Sequence, residues 1–369
     1  MNEFKSVQQR VADRTFPSVF QAWSPADNLP GEDRLTTVAR HDLAFLSLGF
    51  FRLKWKSDHW GLGTELTSES IEAGIAIRKT LLEKNPNLIL IAEIRYRDAN
   101  TRFLPEGHKW WKRDAEGHIE AGWSEGGFNK LDFQNPEYRQ HVASRIQAVV
   151  QSDVVDGVML DWWQDDDDRL DLIQRVRELI GGEALILANS NDRETPRTAP
   201  YINGYFMECT RSKTPQDWER IANTLRWAEE NLKPPHINCL ETWFHESRDD
   251  LHLMRATTTL SLVASNGYCL FSDPNPLPTP DHLHNWYDFW NKSLGRPVSS
   301  GTTRGDGSVS REFENGVAVY NPMGNVEVTV RFDEAWTSVS SNRSSVVFSI
   351  PPGDGDILLK PDAGPKNGE

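Results

Sequence analysis

Eight short apolar runs rich in β-branched residues recur along the first 273 residues, and stretches with helical spacing separate them. The runs are SVFQAW (18–23), LAFLSL (43–48), LILIAEIRY (88–96), DGVMLDWW (156–163), ALILANSN (184–191), NGYFMEC (203–209), HINCLETWF (236–244) and GYCLFSD (267–273). Between them lie SESIEAGIAIRKTLLEK, PEYRQHVASRIQAVVQS, RLDLIQRVRELI, TPQDWERIANTLRWAEENL and RDDLHLMRATTTLSLVAS, several opening on Ser, Thr or Asn-Pro at cap and first-turn positions. Eight strands alternating with helices predict an α/β fold, a closed parallel (β/α)8 TIM barrel. An open doubly wound sheet is the alternative, but no glycine-rich phosphate loop follows the first run, which argues against its dinucleotide-binding form. Cys209, Cys239 and Cys269 are spaced by 30 residues, about one β/α unit, and match no metal-ligand pattern. They read as buried free thiols at one position of three successive units.

After Leu294 the texture changes. GVAVYNP, VEVTVRF, SVVFSI and GDILLK are short alternating runs joined by Gly, Asn, Pro and Ser. The expected organisation is a catalytic barrel over residues 1–295, a small C-terminal antiparallel β-sandwich over 296–361, and a disordered tail over 362–369.

Charge narrows the partners. With 40 Lys and Arg against 54 Asp and Glu, the chain carries a formal charge of -14 and has no long basic cluster, so neither nucleic acid nor an anionic membrane surface is expected. No apolar run approaches a bilayer span, and MNEFKSVQQRVADRTF lacks the layout of a secretory signal. A cytoplasmic location is the expectation, or a secreted or periplasmic one if a signal peptide was removed. The sequence specifies no oligomeric state.

Fourteen tryptophans are many for this length, and several stand among polar residues in HKWWKRD, EAGWSEGG, LDWWQDD and LETWFHE. Flat apolar rings beside hydrogen-bonding groups suit the faces of sugars, so Trp110, Trp111, Trp123, Trp162 and Trp243 are candidate substrate-binding residues; the competing reading is that they fill a loop-covered barrel top. Three of them fall in or beside the segment 97–140, which is too long for an ordinary βα loop and should cover the barrel mouth.

Side chains at the C-terminal ends of barrel strands converge on one mouth whatever their separation in sequence. Asp161 closes the fourth run, Glu208 the sixth and Glu241 the seventh, while Glu93 lies late in the third and Asn189 late in the fifth. Carboxylates rather than histidines in this position suit glycoside hydrolysis, which needs one carboxyl as acid and another as nucleophile or base. Glu93, Asn189 and Glu241 are candidates for holding substrate hydroxyls. Bland readings stand beside these: Asp161 as a helix cap, Glu208 in an ion pair with a barrel arginine. The run Asp165–Asp168 reads as a solvated helix start, with calcium binding as the lesser alternative.

VDGVMLDWW, with the upstream KLDFQNPEYRQHVASRI and WWKRDAEGHIEAGW, resembles the barrel core of hypothetical glycosyl hydrolases distantly similar to endo-α-1,4-polygalactosaminidases. The resemblance covers most of residues 18–290. It implies Asp161 as nucleophile and Glu208 as acid/base, and a small β-sandwich after the barrel. Val-Val-Asp-Gly stands where Gly-x-Asp-Gly is expected and Cys209 follows Glu208, so substrate choice does not carry over.

The leading expectation is a retaining glycoside hydrolase acting on an oligosaccharide or glycoside, without cofactor or metal. The alternatives are a metal-dependent isomerase or lyase-type barrel enzyme built on the strand-end carboxylates, and a non-catalytic carbohydrate-binding barrel. A zinc amidohydrolase would need histidines at strand ends, and His236 stands at the wrong end of the seventh run. A retaining mechanism requires the Asp161 and Glu208 carboxyls about 5 to 5.5 Å apart. Both should lean over Asn189 beneath Trp110, Trp111 and Trp123, with Asp165–Asp168 pointing away.

Overall fold

The computed structural model describes residues 4–273 and 282–361. Eight parallel strands pair in chain order: β1 (Phe20–Ala22), β2 (Leu43–Leu46), β3 (Ile89–Glu93), β4 (Gly157–Leu160), β5 (Leu185–Asn189), β6 (Gly204–Cys209), β7 (Cys239–Trp243) and β8 (Tyr268–Ser272). A parallel bridge from Val19 to Cys269, with the Cys269 amide donating to the Ser18 carbonyl at 2.9 Å, brings β8 to β1 and closes the barrel. Each of the eight apolar runs contains one strand. Phe20, Phe45 and Phe206 meet in the interior with ring centroids 4.9 to 6.0 Å apart, so the barrel is filled rather than hollow.

Helix α1 (Val7–Asp13) precedes the barrel, and α2 (Arg34–Ala39), α3 (Ser68–Lys84), α4 (Pro136–Val150), α5 (Asp167–Ile180), α6 (Pro215–Asn231) and α7 (Leu251–Ala264) surround it. Side chains of Asn135, Asp166, Thr214 and Asp250 cap α4 to α7 by accepting main-chain N–H bonds. The link from β5 to β6 carries Pro196 and Pro200 and forms a single 3-10 turn, Ala199–Tyr201, in place of a helix. The three cysteines are buried on β6, β7 and β8, but not at one height. Cys239 lies beside Phe206 and Tyr268, whereas Cys209 lies beside Thr242 at the opposite end of β7. Among the described residues no helix is long and apolar enough to cross a membrane.

Six antiparallel strands follow: β9 (Thr302–Thr303), β10 (Val309–Phe313), β11 (Gly316–Asn321), β12 (Val328–Ser338), β13 (Ser344–Ile350) and β14 (Asp354–Leu359), in the order β9-β10-β11-β14-β12-β13. The register of β12 shifts between Arg331 and Trp336, and only Thr337 and Ser338 at its far end pair with β14. Val328, Val330, Phe348 and Ile350 then share one buried cluster with Val317, Val319 and Leu358. The two layers of the small domain therefore belong to one sheet folded upon itself. Arg255 of α7 grips Asp354 through two bonds of 2.8 and 2.6 Å, and Arg311 of β10 donates to the carbonyls of Leu262 and Ser265, which fastens this sheet to the barrel. The tail expected over 362–369 lies outside the described residues.

The motif VDGVMLD divides its labour along β4. Gly157 is required by close approach, since a Cβ there would stand 2.0 Å from the Leu185 carbonyl oxygen. Asp156, at the N-terminal end, is buried and pairs with Arg10 and with Arg78 (2.6 Å), and also accepts the Leu90 amide at 2.8 Å. Burial pushes its carboxyl up, but the Arg78 and Arg10 guanidiniums outweigh that and hold it below the ordinary range. Its stabilising contribution is thus complete at neutral pH and is lost as the pH falls below that range. Asp156→Asn, which strands two arginines, is expected to destabilise the fold by about 3–5 kcal/mol in urea unfolding at neutral pH and to flatten the acid side of the stability profile. An unchanged midpoint would show that this cluster does not anchor the barrel.

Candidate active site

At the C-terminal rim, β3 to β7 present Glu93, Asp161, Asn189, Glu208 and Glu241. The centre of the arrangement is Asn189. Its Nδ2 donates to Oδ1 of Asp161 and to Oε2 of Glu208, each at 2.8 Å. Two bonds from one nitrogen keep these oxygens within twice that length of each other. Asn189 Oδ1 accepts the Asn191 amide at 3.2 Å, which agrees with this orientation of the side chain.

Beside the pair opens a cleft of about 240 Å³ lined by Trp23, Arg95, Trp123, Asp161, Trp162, Glu208 and His282. Trp123 belongs to the long segment after β3. There Asp98–Ala99 pairs with Asn129–Lys130, and buried Asp98 accepts the Trp123 amide at 3.0 Å while pairing with Arg95 and Arg97. Trp162 follows Asp161 with φ +54° and packs one face against the Arg97 guanidinium, 4.1 Å from its centroid. Trp110 and Trp111 do not reach the cleft. Trp111 is buried and donates Nε1 to the Pro105 carbonyl, and Trp110 packs on Tyr138 and His141 of α4, so both form the inner packing of the segment rather than its roof.

Glu93 and Glu241 stand behind the cleft instead of lining it. Glu93 is buried, accepts Trp23 Nε1 at 3.0 Å and pairs with Arg95 Nε at 2.8 Å. Glu241 is fully buried and holds His282 Nδ1 at 2.8 and 3.0 Å, while His282 Nε2 lies 3.8 Å from Glu208 Oε1. Each therefore positions a residue that faces the cleft. Trp243 is half-buried with its ring 6.4 Å from that of His282 and is not among the lining residues. Trp23, Arg95 and His282 were not singled out from the sequence. Trp23 ends the first run and Arg95 lies two residues beyond Glu93, so the strand-end rule that found the acids could have reached both, whereas His282 stands nine residues past the eighth run, where that rule does not point.

The four aspartates turn elsewhere. Asp166 caps α5, Asp168 pairs with Arg139 at 2.7 Å, Asp167 pairs with Arg197, and Asp165 accepts the Arg197 amide at 3.2 Å. Among the described residues no group of three or more His, Cys, Asp or Glu side chains is placed to hold a metal ion.

Electrostatics distinguish the two bridged acids. Burial pushes the Glu208 carboxyl up to about 8; His282 opposes this, and the charges of Asp161 and Glu241 add to it. Burial also raises Asp161, but Arg95, the Asn189 amide and the Trp162 backbone N–H oppose the rise. Glu208 accordingly holds a proton at neutral pH.

No protein-family model and no curated protein matches the sequence. Solved structures do match. An α-amylase from Lactobacillus plantarum aligns over 96% of this chain and 100% of its own with a TM-score of 0.55 and 12% identity. The maltogenic α-amylase AmyB from Thermotoga neapolitana aligns over 92% and 98%, with a TM-score of 0.54 and 11% identity. The α-amylase GTA from Geobacillus thermoleovorans, solved with acarbose, aligns over 97% and 100%, with a TM-score of 0.52 and 9% identity. The chain has an α-amylase-like fold. The likeness to polygalactosaminidases read from the motifs has no counterpart in these comparisons, and identities this low carry the fold alone.

The shared amide generates a test that needs no substrate. Asn189→Leu removes the donor that stabilises both ionised carboxyls, so Asp161 and Glu208 should each titrate at higher pH in carbon-13 carboxyl NMR spectra. Unmoved titrations would mean that Asn189 does not couple them.

Proposed function

We propose that this chain is a retaining glycoside hydrolase in which Asp161 is the nucleophile and Glu208 the acid/base. The observation that carries the reading is the amide-bridged pair, whose bonded oxygens lie within twice 2.8 Å of each other, a span that admits the ~5 to 5.5 Å of retaining enzymes and falls short of the ~6.5 to 9.5 Å that inverting ones need for a water. Asn189 occupies one oxygen of each carboxyl and leaves Oδ2 of Asp161 and Oε1 of Glu208 for chemistry. Asp161 would attack the anomeric carbon while protonated Glu208 gives its proton to the departing oxygen. Glu208, now a carboxylate, would then take a proton from the water that releases the sugar from Asp161. Trp23, Trp123 and Trp162 offer flat faces to the ring being cleaved. Support from outside the site is the α-amylase-like fold, with a neighbour solved with acarbose.

A metal-dependent reading finds less support, because an N–H donor lies between Asp161 and Glu208 and the other two acids are engaged by Trp23, Arg95 and His282. A barrel that binds sugar without cleaving it shares the geometry, and turnover separates the two.

Asp161→Asn is expected to fold normally and to lower turnover at least about a thousandfold on whichever member of a glycoside panel, maltooligosaccharides included, is cleaved. Proton NMR of the first product should show retained anomeric configuration; inversion would remove the nucleophile role. Activity should fall on the basic side as Glu208 loses its proton near pH 8. That limb should vanish in Glu208→Gln. Because His282 holds the Glu208 carboxyl down, His282→Gln should shift the limb to higher pH, and a shift in the other direction would contradict the proposed coupling.

A further inference from the structure

Glu208 borders two clefts. One is the tryptophan-lined space beside Asp161; the other, of about 270 Å³, is lined by Asn191, Asp192, Arg193, Thr210 and Arg211 from the loops after β5 and β6. An acid that protonates a glycosidic oxygen stands between the ring under attack and the group that leaves. Since Asp161 lines only the first cleft, that one receives the attacked ring and the second receives the leaving group. The first, at about 240 Å³, is smaller than the ~300–1,000 Å³ of sites for drug-sized ligands and suits one sugar ring.

The two sides differ in chemistry. Among the described residues, the second cleft is lined by no aromatic side chain and by two arginines. Its other acid besides Glu208, the buried Asp192, is already held by Arg220 of α6 at 2.6 Å, with Arg211 farther off at 3.7 Å. The Arg211 side chain is 70% exposed. Arg193 reaches only the Ser190 carbonyl (3.3 Å) and Asn191 Oδ1 (3.0 Å), and no carboxylate pairs with it among the described residues. On a chain of net charge -14 this is a local surplus of guanidinium beside the proton donor. Guanidinium groups with open donors recognise carboxylate, sulfate and phosphate through paired N–H bonds.

We propose that the leaving-group side binds an anionic sugar, one bearing a carboxylate, sulfate or phosphate, through Arg193 and Arg211. The assignment of sides rests on the glycoside hydrolase reading, whereas the anion preference is a matter of affinity and is measured without turnover. A cationic amino sugar would be repelled at the same place, so the charge of this cleft bears directly on any kinship with polygalactosaminidases.

The test is calorimetric titration of the full chain with galactose, galacturonic acid and galactosamine, and with glucose, glucuronic acid, glucosamine and glucose 6-phosphate. The acidic sugar of a series should bind about tenfold or more tightly than its neutral counterpart and the amine most weakly, with the preference shrinking as salt is raised. R193Q/R211Q, which changes two exposed side chains, should lose the preference while keeping the wild-type melting temperature. Glucose 6-phosphate against glucuronic acid tells a phosphate from a carboxylate requirement. Equal affinities across charge, a preference that survives R193Q/R211Q, or no binding of any acidic sugar would overturn the inference. Acid preference without turnover would instead sink the hydrolase reading and leave the anion site standing, and turnover sensitive to Asp161→Asn without acid preference would do the reverse.

Discussion

Two carboxyls drawn from strands on either side of β5 must share the barrel mouth, and the side chain of Asn189 sets how near they come. Taken out of water, each acid resists ionisation, and each ionised form repels the other. An amide nitrogen with two hydrogens can satisfy one oxygen of each at once. An aspartate in its place would add a third charge, and an apolar residue would leave both acids without that donor. The surroundings then break the symmetry. Arg95 draws Asp161 toward its ionised form, while Asp161 and Glu241 push Glu208 toward its protonated one. Burial raises both carboxyls, but the bridge joins two whose neighbours act in opposite directions, the kind of inequality that separates the roles in acid-assisted displacement.

Glu93 and Glu241 explain why five polar strand ends do not make five equivalent groups. Each is buried, and each spends its oxygens on a residue that faces the cleft: Glu93 on Trp23 and Arg95, Glu241 on His282. A buried carboxylate is tolerated only where donors surround it, and here the donors are the residues that shape the cleft. The same chain of bonds runs on from Arg95 to Asp98, which holds the amide of Trp123. The long segment after β3 is tied to the rim by charge as well as by packing.

The barrel was legible because strands covered on both sides must be short and apolar, and the eight runs had no other use. Asp161 and Glu208 were legible for a related reason: a carboxylate ending such a run has only the mouth to face. Trp110 and Trp111 misled because a 44-residue insertion needs packing of its own, and polar neighbours in sequence do not keep an indole out of it. His282 was not read because no run ends on it, and the folded chain alone reveals its alignment with Glu241. Asp156 carried no signal of its purpose. Five residues before Asp161 in one motif, it lies at the opposite end of β4 and anchors the barrel through Arg10 and Arg78.

Backbone strain gathers where these arguments meet. Seven non-glycine residues among those described have positive φ, and four of them, Trp23, Trp162, Asn191 and His282, stand at the mouth. For bulky side chains that conformation costs about 1–3 kcal/mol each and persists only where the surroundings impose it. Each of the four is held by a named bond. Glu93 takes the Trp23 indole, Tyr96 and Arg169 donate to the Trp162 carbonyl, Asn191 donates to the Glu208 carbonyl, and Glu241 takes His282. The hydrophobic barrel below supplies the stability that makes such positions tolerable, and the strain aims two indoles and an imidazole at one sugar-sized space. That is why Glu93 and Glu241 matter to the site without lining it: each holds a strained residue in place, so the shape of the cleft depends on acids that never reach it.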